Sequence, residues 1–328
     1  MSLSAHDEKC TATFWEAPFQ FQHLILQGIT MAVFNFGSIN IDHVYSVPHF
    51  VQPGETLSSS GYQSILGGKG ANQSVALAKA NNQVFHVGAI GATDSAFKNQ
   101  MVEAGVNCEL VRELSDVASG HAIIQVTPDA ENNIILFGGA NQTLSDDHIA
   151  TALAKAKSGD WVLLQNETNA IDTVIEEAHK RSLNIAFNPA PMTDSVKQLP
   201  LNKLTLLIVN EVEAEQLTGE ADVEAIKRSL TSNYPDTKIL LTLGKAGVWF
   251  VAGDEEEFCP AFKVEALDTT AAGDTFIGFF LAAYQANANI ADALKYSCAA
   301  SALAVMKAGA APSIPSVIEV EQFLKNHN

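Results

Sequence analysis

The stretch EALDTTAAGDTFIGFF (residues 265–280) begins a helix in an unusual way. An acid, two threonines and three small residues lead to a single aspartate, Asp274, and the apolar helical residues start behind it. A helix that starts near Gly273 leaves several first-turn N–H groups unpaired and pointing to where the chain enters, which favours an anion there. Ala271, Ala272 and Gly273 clear room for a bulky anion such as phosphate. An aspartate at a helix start is ordinarily a cap or a complement to the helix dipole. A cap needs no cleared space, whereas a carboxylate working beside a transferring phosphoryl group does.

Upstream of this stretch, from Met31 on, strand-like and helix-like segments alternate. AVFNFGSI, VFHVGAIG, WVLLQ, NIAFNPAP, LTLLIVN, KILLTLG and GVWFVAG read as strands; GANQSVALAKAN, SAFKNQMVEAG, AIDTVIEEAHKRS and EAIKRSLTSN read as helices. Buried apolar strands alternating with helices predict an α/β fold, a mainly parallel sheet covered on both faces. SGHAIIQVTP and NNIILFGGA, joined by the polar DAENN, predict a hairpin. Together with the early segment around residues 42–64, this hairpin (residues 119–140) suggests a small β appendage on one domain spanning residues 31–328. Residues 1–30 fit no part of that pattern. They carry too few basic residues for a signal peptide and are expected to be a cloning remnant, a mis-called start before Met31, or a short docked extension.

The composition narrows the chemistry. With 328 residues, 47% of them hydrophobic, the chain can bury a large core, and no apolar run reaches the roughly 18 residues of a membrane span. A formal net charge of −18 argues against nucleic-acid or anionic-membrane partners, so any bound phosphate needs a locally built site. The four cysteines, Cys10, Cys108, Cys259 and Cys298, are scattered, which points to reduced thiols, a cytoplasmic location and no cysteine-held metal.

In doubly wound sheets, ligands bind beyond the carboxyl ends of the strands. Polar motifs fall there: GSINID, NPAP, NEVEAE and LGKAG each follow a strand, and GGKGAN (residues 67–72) opens a helix. GGKGAN has neither P-loop nor dinucleotide spacing; it is either a glycine-rich cap or a loop whose backbone approaches a polyhydroxylated ligand, with Lys69 and Asn72 as side-chain donors. Asn40 and Asp42, two apart on an extended segment, project to the same side; the alternative is a turn after the first strand. Glu211, Glu213 and Glu215 could be a solvated acidic helix start, or Glu213 could stand near a triphosphate and its magnesium.

DTTAAGDTF, GGKGAN, NPAP, the Asn-x-x-Glu of NEVE, TLGKAGVW and AGAAPSIP, in that combination, resemble the ribokinase family of PfkB-type carbohydrate kinases, from about Ala32 to Asn328. The Asn40-x-Asp42 pair, AAGD in place of the commoner GAGD, and GAAPSIP are most similar to its ribose-specific members. The resemblance implies a three-layer α/β domain with a β-lid that closes over the sugar and often forms a homodimer. It implies transfer of the γ-phosphoryl of ATP to the 5-hydroxyl of D-ribose. By matched position, Asp274 is the base and the N–H groups of Ala271, Ala272 and Gly273 form the anion hole. Asn40, Asp42, Gly68, Lys69, Asn72 and Glu167 hold the sugar, and Asn210, Glu213, Thr242 and Gly244 lie along the ATP phosphates and Mg2+. A K+ site falls on Asp268, Thr270, Ala304, Lys307, Gly309 and Ser313; from local sequence, Asp268 could equally be an exposed turn residue. Other acceptors of the family (deoxyribose, fructose, a nucleoside) stay open, as does a non-catalytic sugar sensor. A sensor is expected to lose the base or the anion hole, and this chain has both.

Overall fold

The protein was analysed as a computed structural model describing residues 31–129 and 131–327; the expectation for residues 1–30 lies outside the described residues. Thirteen strands are described: β1 (Val33–Phe36), β2 (Asn40–Ser46), β3 (Gly61–Gly67), β4 (Val84–Gly91), β5 (Val111–Leu114), β6 (Gly120–Val126), β7 (Asn132–Phe137), β8 (Trp161–Gln165), β9 (Asn184–Asn188), β10 (Leu206–Asn210), β11 (Lys238–Thr242), β12 (Gly247–Ala252) and β13 (Glu255–Pro260).

Nine of them form one sheet in the order β13-β12-β11-β10-β9-β8-β1-β4-β5. It is parallel from β5 to β11 and ends in an antiparallel β11, β12, β13 edge. Successive side chains of a strand leave opposite faces, so each strand feeds two cores. In β8, Trp161 and Leu163 join one apolar cluster while Val162 and Leu164 join the other. The first cluster is completed by the helices Lys69–Lys79, Ser95–Glu103, Ala272–Gln285, Ile290–Val305 and Val317–Asn326; the second by Asp146–Leu153, Ile171–Lys180, Glu211–Thr218 and Val223–Asn233. The result is the expected three-layer arrangement. Among the described residues no helix is long and apolar enough to cross a membrane.

The other four strands make a second sheet in the order β3-β2-β6-β7, with β2 and β6 parallel and the other pairs antiparallel. It is built from the two segments singled out in the sequence. One feature differs from the sequence reading. The strand in AVFNFGSI is shorter than the stretch: β1 stops at Phe36, where the chain leaves the large sheet, and it enters the small one at Asn40. Gly37 bonds back to the Val87 carbonyl at 3.1 Å and Ile39 N–H donates to Asn141 Oδ1 at 2.9 Å, so the break is held from both sides.

Two helices of the first layer cross at the site. A Cβ on Gly278 would come within 2.4 Å of the Ala76 Cβ, so only a glycine lets helix Ala272–Gln285 lie this close to helix Lys69–Lys79. That approach brings Asn72 and Gln73 of one helix against Asp274 of the other.

Candidate active site

Helix Ala272–Gln285 is preceded by Ala271 in the left-handed region (φ 58°), and no side chain caps it. Asp274 lies in its first turn, buried, and its carboxylate bonds outside its own helix: Asn72 Nδ2 donates to Oδ2 at 3.0 Å and Gln73 Nε2 to Oδ1 at 2.9 Å. Burial pushes this carboxyl up, against the pull of Lys69 and of the Gln73 and Asn72 donors. The capping alternative for Asp274 therefore does not describe its contacts. Of the expected anion donors, Ala272 N–H turns to the Thr269 carbonyl at 3.3 Å, while Ala271 and Gly273 N–H find no backbone acceptor among the described residues. A Cβ on Gly273 would meet nothing within 4 Å, so the space in front of the turn is open.

Lys69 starts the facing helix. Burial opposes its charge, but Asp274, Glu167, Glu213 and Asp42 surround it and together hold its pKa above the ordinary lysine range. It is thus a cation at the centre of four acids drawn from four places in the chain. Gly68 before it has φ 90°, and a Cβ there would lie 2.9 Å from Asn40 N, so the loop passes the start of β2 at a distance only glycine tolerates.

Asn40 and Asp42 lie at the start of β2, on an extended strand and not in a turn. Asn141 Nδ2 donates to Asn40 Oδ1 at 2.7 Å, which leaves the Asn40 amide to face the site as a donor. Asp42 is pushed up to about 6 by burial and by Glu167, partly offset by Lys69. Glu167 follows β8; its Oε2 accepts from Lys69 N–H at 3.0 Å and from the Ser38 hydroxyl, and burial raises its pKa more than these partners lower it. Asn72 Nδ2 gives one of its two hydrogens to Asp274, and its Oδ1 is buried without a partner.

On the other side of Asp274, Asn210 and Glu213 form a capping box at the start of helix Glu211–Thr218, with Glu213 N–H to Asn210 Oδ1 at 2.8 Å and Asn210 N–H to Glu213 Oε2 at 3.0 Å. Glu211 and Glu215 are exposed, whereas Glu213 is buried, raised by that burial, and within the field of Lys69 and Asp274. The three acids are therefore not one solvated face. Thr242 ends β11, its hydroxyl 3.5 Å from the Val209 carbonyl, and Gly244 (φ 52°) opens the turn after it with free space in front.

Asp268 joins the turn before helix Ala272–Gln285 to the carboxy-terminal loop. Its Oδ1 accepts from Thr270 N–H at 2.9 Å and Thr270 Oγ1 at 2.6 Å, and its Oδ2 from Gly309 N–H at 2.8 Å. Burial raises its pKa, and these bonds outweigh it and hold the carboxyl below its ordinary value. Asp268 is thus a fixed bridge between two loops and not a free turn residue. Ser313 Oγ donates to the Ala310 carbonyl at 2.8 Å, which leaves its oxygen as an acceptor. The Ala304 carbonyl accepts from Lys307 N–H at 3.1 Å, and the Lys307 ammonium pairs with Glu319 at 2.7 Å.

The sequence reading missed the polar side chains beneath the site, Asn35, Gln73, Gln165 and Asn188, all buried. The signal was present: three of them stand within apolar strands, in VFNF, WVLLQ and NIAFN. A buried amide in such a run needs a partner, and here they partner one another.

The pattern of the pfkB family carbohydrate kinases matches residues 32–317. The chain is 37% identical over 298 residues to the ribokinase of Haemophilus influenzae, across 88% of this chain and 97% of that one. Ribokinase from Cryptococcus neoformans in complex with ADP superposes with a TM-score of 0.78 at 33% identity, over 90% of this chain and 99% of that one. Arabidopsis thaliana ribokinase complexed with ribose and ATP gives a TM-score of 0.80 at 29% identity, over 91% and 99%.

Proposed function

The chain belongs to the pfkB family of carbohydrate kinases, and from that premise we propose that it transfers the γ-phosphoryl group of ATP to the 5-hydroxyl of D-ribose, giving ribose 5-phosphate. The observation that carries this reading is Asp274: a buried carboxylate at an open helix start, held by two side-chain amides and capping nothing. Relatives with ribokinase activity, and the relative that binds ribose and ATP together, support the choice of acceptor.

Phosphoryl transfer has a loose transition state, so alignment and stabilisation of charge on the equatorial oxygens do most of the work. Asp274 orients the 5-hydroxyl and takes its proton as the oxygen–phosphorus bond forms; a carboxylate is too weak a base to remove it beforehand. Ala271 and Gly273 N–H face the transferred group. Asp42 accepts from sugar hydroxyls, Asn40 donates through its fixed amide, and Glu167 Oε1 and Asn72 Oδ1 are the remaining acceptors.

Glu213 fits a magnesium ion held through water: it is buried, faces the site, and each oxygen carries one donor and keeps lone-pair capacity. Mg2+ would supply neutralisation of phosphate charge. Asp268, Thr270, Ala304, Lys307, Gly309 and Ser313 are the residues we assign to K+, on the strength of the charged bridge from Asp268 to Gly309. The second sheet we read as a lid, whose exposed Ile134, Ile135, Leu136 and Phe137 form the homodimer contact. The free thiols of Cys108, Cys259 and Cys298 fit a cytoplasmic enzyme.

Coupled detection of ADP over a panel of ribose, deoxyribose, fructose and nucleosides tests the proposal. Ribose should give the highest kcat/KM. A larger value for another sugar moves the assignment to that acceptor, and ADP release with none of them leaves a sensor.

A further inference from the structure

We propose that Gln73 is a positioning residue for Asp274, its amide locked with the N–H towards the carboxylate by a one-way chain of buried hydrogen bonds running across four neighbouring strands. The proposal rests on the reading of Asp274 as the base.

A glutamine amide is a donor at one end and an acceptor at the other, and a half-turn exchanges them. Flipped, Gln73 would set its carbonyl oxygen against the Asp274 carboxylate. Its Oε1 is prevented from turning by Gln165 Nε2, which donates to it at 2.7 Å. The same Gln165 nitrogen donates to Asn35 Oδ1 at 2.9 Å, so Gln165 also has one orientation, and Asn35 must present its nitrogen on the other side. There Asn35 Nδ2 donates to the Gly70 carbonyl at 2.8 Å and to Ser74 Oγ at 2.8 Å. A backbone carbonyl can only accept, so Gly70 fixes the direction of the whole series.

The second branch ends in the same way. Ser74 Oγ, already accepting from Asn35, gives its proton to His86 Nδ1 at 2.8 Å. His86 then carries hydrogen on Nε2, which donates to the Gly37 carbonyl at 3.0 Å, again an acceptor only. Burial pushes the His86 pKa down to about 4, so the ring stays neutral and the direction holds over the working pH range.

Asn35, Gln73, Ser74, His86 and Gln165 are all 0% exposed, so no solvent can rearrange the series. His86, Asn35 and Gln165 come from the adjacent strands β4, β1 and β8, and Asn188 of β9, opposite Gln165, takes a weaker 3.4 Å bond from Gln73 Nε2. One acceptor, Gln165 Oε1, is left without a partner. An apolar core would have avoided that cost; the orientation of Gln73 is what the arrangement secures. At Asp274 the consequence is direct. Burial opposes its ionised form, the charged groups facing it are Lys69, Glu167 and Glu213, and Gln73 with Asn72 supplies the neutral donors that keep it a base.

Three variants test this. Gln73→Met removes the amide at similar length, and Gln165→Met frees the Gln73 orientation without touching Asp274. Each should lower kcat by about tenfold or more with the KM values for ribose and ATP within a few-fold, and move the acid limb of the kcat/KM profile up by about one pH unit. The double variant should be no worse than Gln73→Met, because the two act as one unit. Gln73→Glu keeps the shape if the methionine variants fold poorly, and sets a second acid against Asp274; its acid limb should move further still. An unmoved acid limb in the folded variants, or losses that multiply in the double one, would make the chain ordinary core packing and overturn the proposal. Asp274→Asn is measured alongside: if it keeps activity within a few-fold of wild type, the base reading falls and this proposal with it, whereas an inactive Asp274→Asn with unmoved Gln73 limbs removes this proposal alone.

Discussion

In the large sheet Leu163 and Leu240 are sealed between helices at 0% exposure, whereas in the small sheet Ile134, Ile135, Leu136 and Phe137 stand 49%, 62%, 55% and 52% exposed. WVLLQ and NNIILF are both short apolar runs, and both form strands. The apolar run sets the local structure; only the neighbours decide burial. The large sheet receives helices from the crossovers on both faces, while in the small sheet the outer pairings, β2 with β3 and β6 with β7, are antiparallel and joined without a helix. An apolar surface left uncovered in this way is characteristic of a place where something else docks.

That contrast can be broken or sharpened by experiment. Leu163→Ala, in the sealed sheet, should cost about 2 to 5 kcal/mol of unfolding free energy in a denaturant titration. A loss below about 1 kcal/mol would mean that the two sheets are not so different. Asp274→Asn, in the first turn of helix Ala272–Gln285, should fold and bind both substrates but lower kcat by about 10² or more. Turnover within a few-fold of wild type would return Asp274 to a structural part.

Asp42 lies on the small sheet, and its replacement by alanine should raise the ribose KM by an amount on the order of 1.5 to 3 kcal/mol while leaving the ATP KM nearly unchanged. Equal damage to both constants would indicate misfolding. Its pH behaviour gives a further test. The folded pKa of about 6 exceeds the ordinary 3.8, so the native state binds this proton more tightly than the unfolded chain does. That stabilisation is full below the unfolded value and is lost as pH rises through about 6. Asp42→Asn should therefore raise the melting temperature relative to wild type at pH 8 and lose that advantage at pH 4. In the wild type, the ribose KM should climb as pH falls below about 6, where the acceptor is protonated. A melting difference independent of pH would exclude the titration.

The smallest expected effect is on the exposed strand. Ile135→Ser should change unfolding free energy by no more than about 0.5 kcal/mol, yet weaken the proposed dimer in sedimentation velocity. A dimer unaffected by it would place the contact elsewhere.

Much of this was legible beforehand, for reasons that differ by residue. The alternation of apolar strands and helices is a periodic signal, and it located β8 to β12 and the helices Ile171–Lys180 and Val223–Asn233. Asp274 and Lys69 stand in glycine-rich motifs that are local and carry a recognisable pattern, whereas Glu167 was singled out only through the family resemblance. The end of β1 at Phe36, before AVFNFGSI runs out, was not legible, because bonds with Val87 and Asn141, distant in sequence, hold residues 37–39 off the strand. The amide chain under Asp274 was likewise hidden: each member looks like an isolated polar residue until four strands are laid side by side. The bond from Asn72 to Asp274 was not legible for the same reason, since the two stand 202 positions apart.

The short breaks around the small sheet have a mechanical meaning. Only residues 37–39 separate β1 from β2, and only Gly68 separates β3 from helix Lys69–Lys79. Any rotation of the small sheet against the large one has its fulcrum there. β2 has seven residues, so its far end lies roughly 20 Å from that fulcrum at about 3.3 Å per residue, while Asn40, Asp42 and Lys69 stand beside it. A swing that carries the outer end of the sheet through a wide arc displaces Asn40 and Lys69 little, and Asp42 by about a third as much as that end. In the proposed closure the groups assigned to the sugar would thus stay closer to their working positions than the outer end of the sheet, which would take the widest travel.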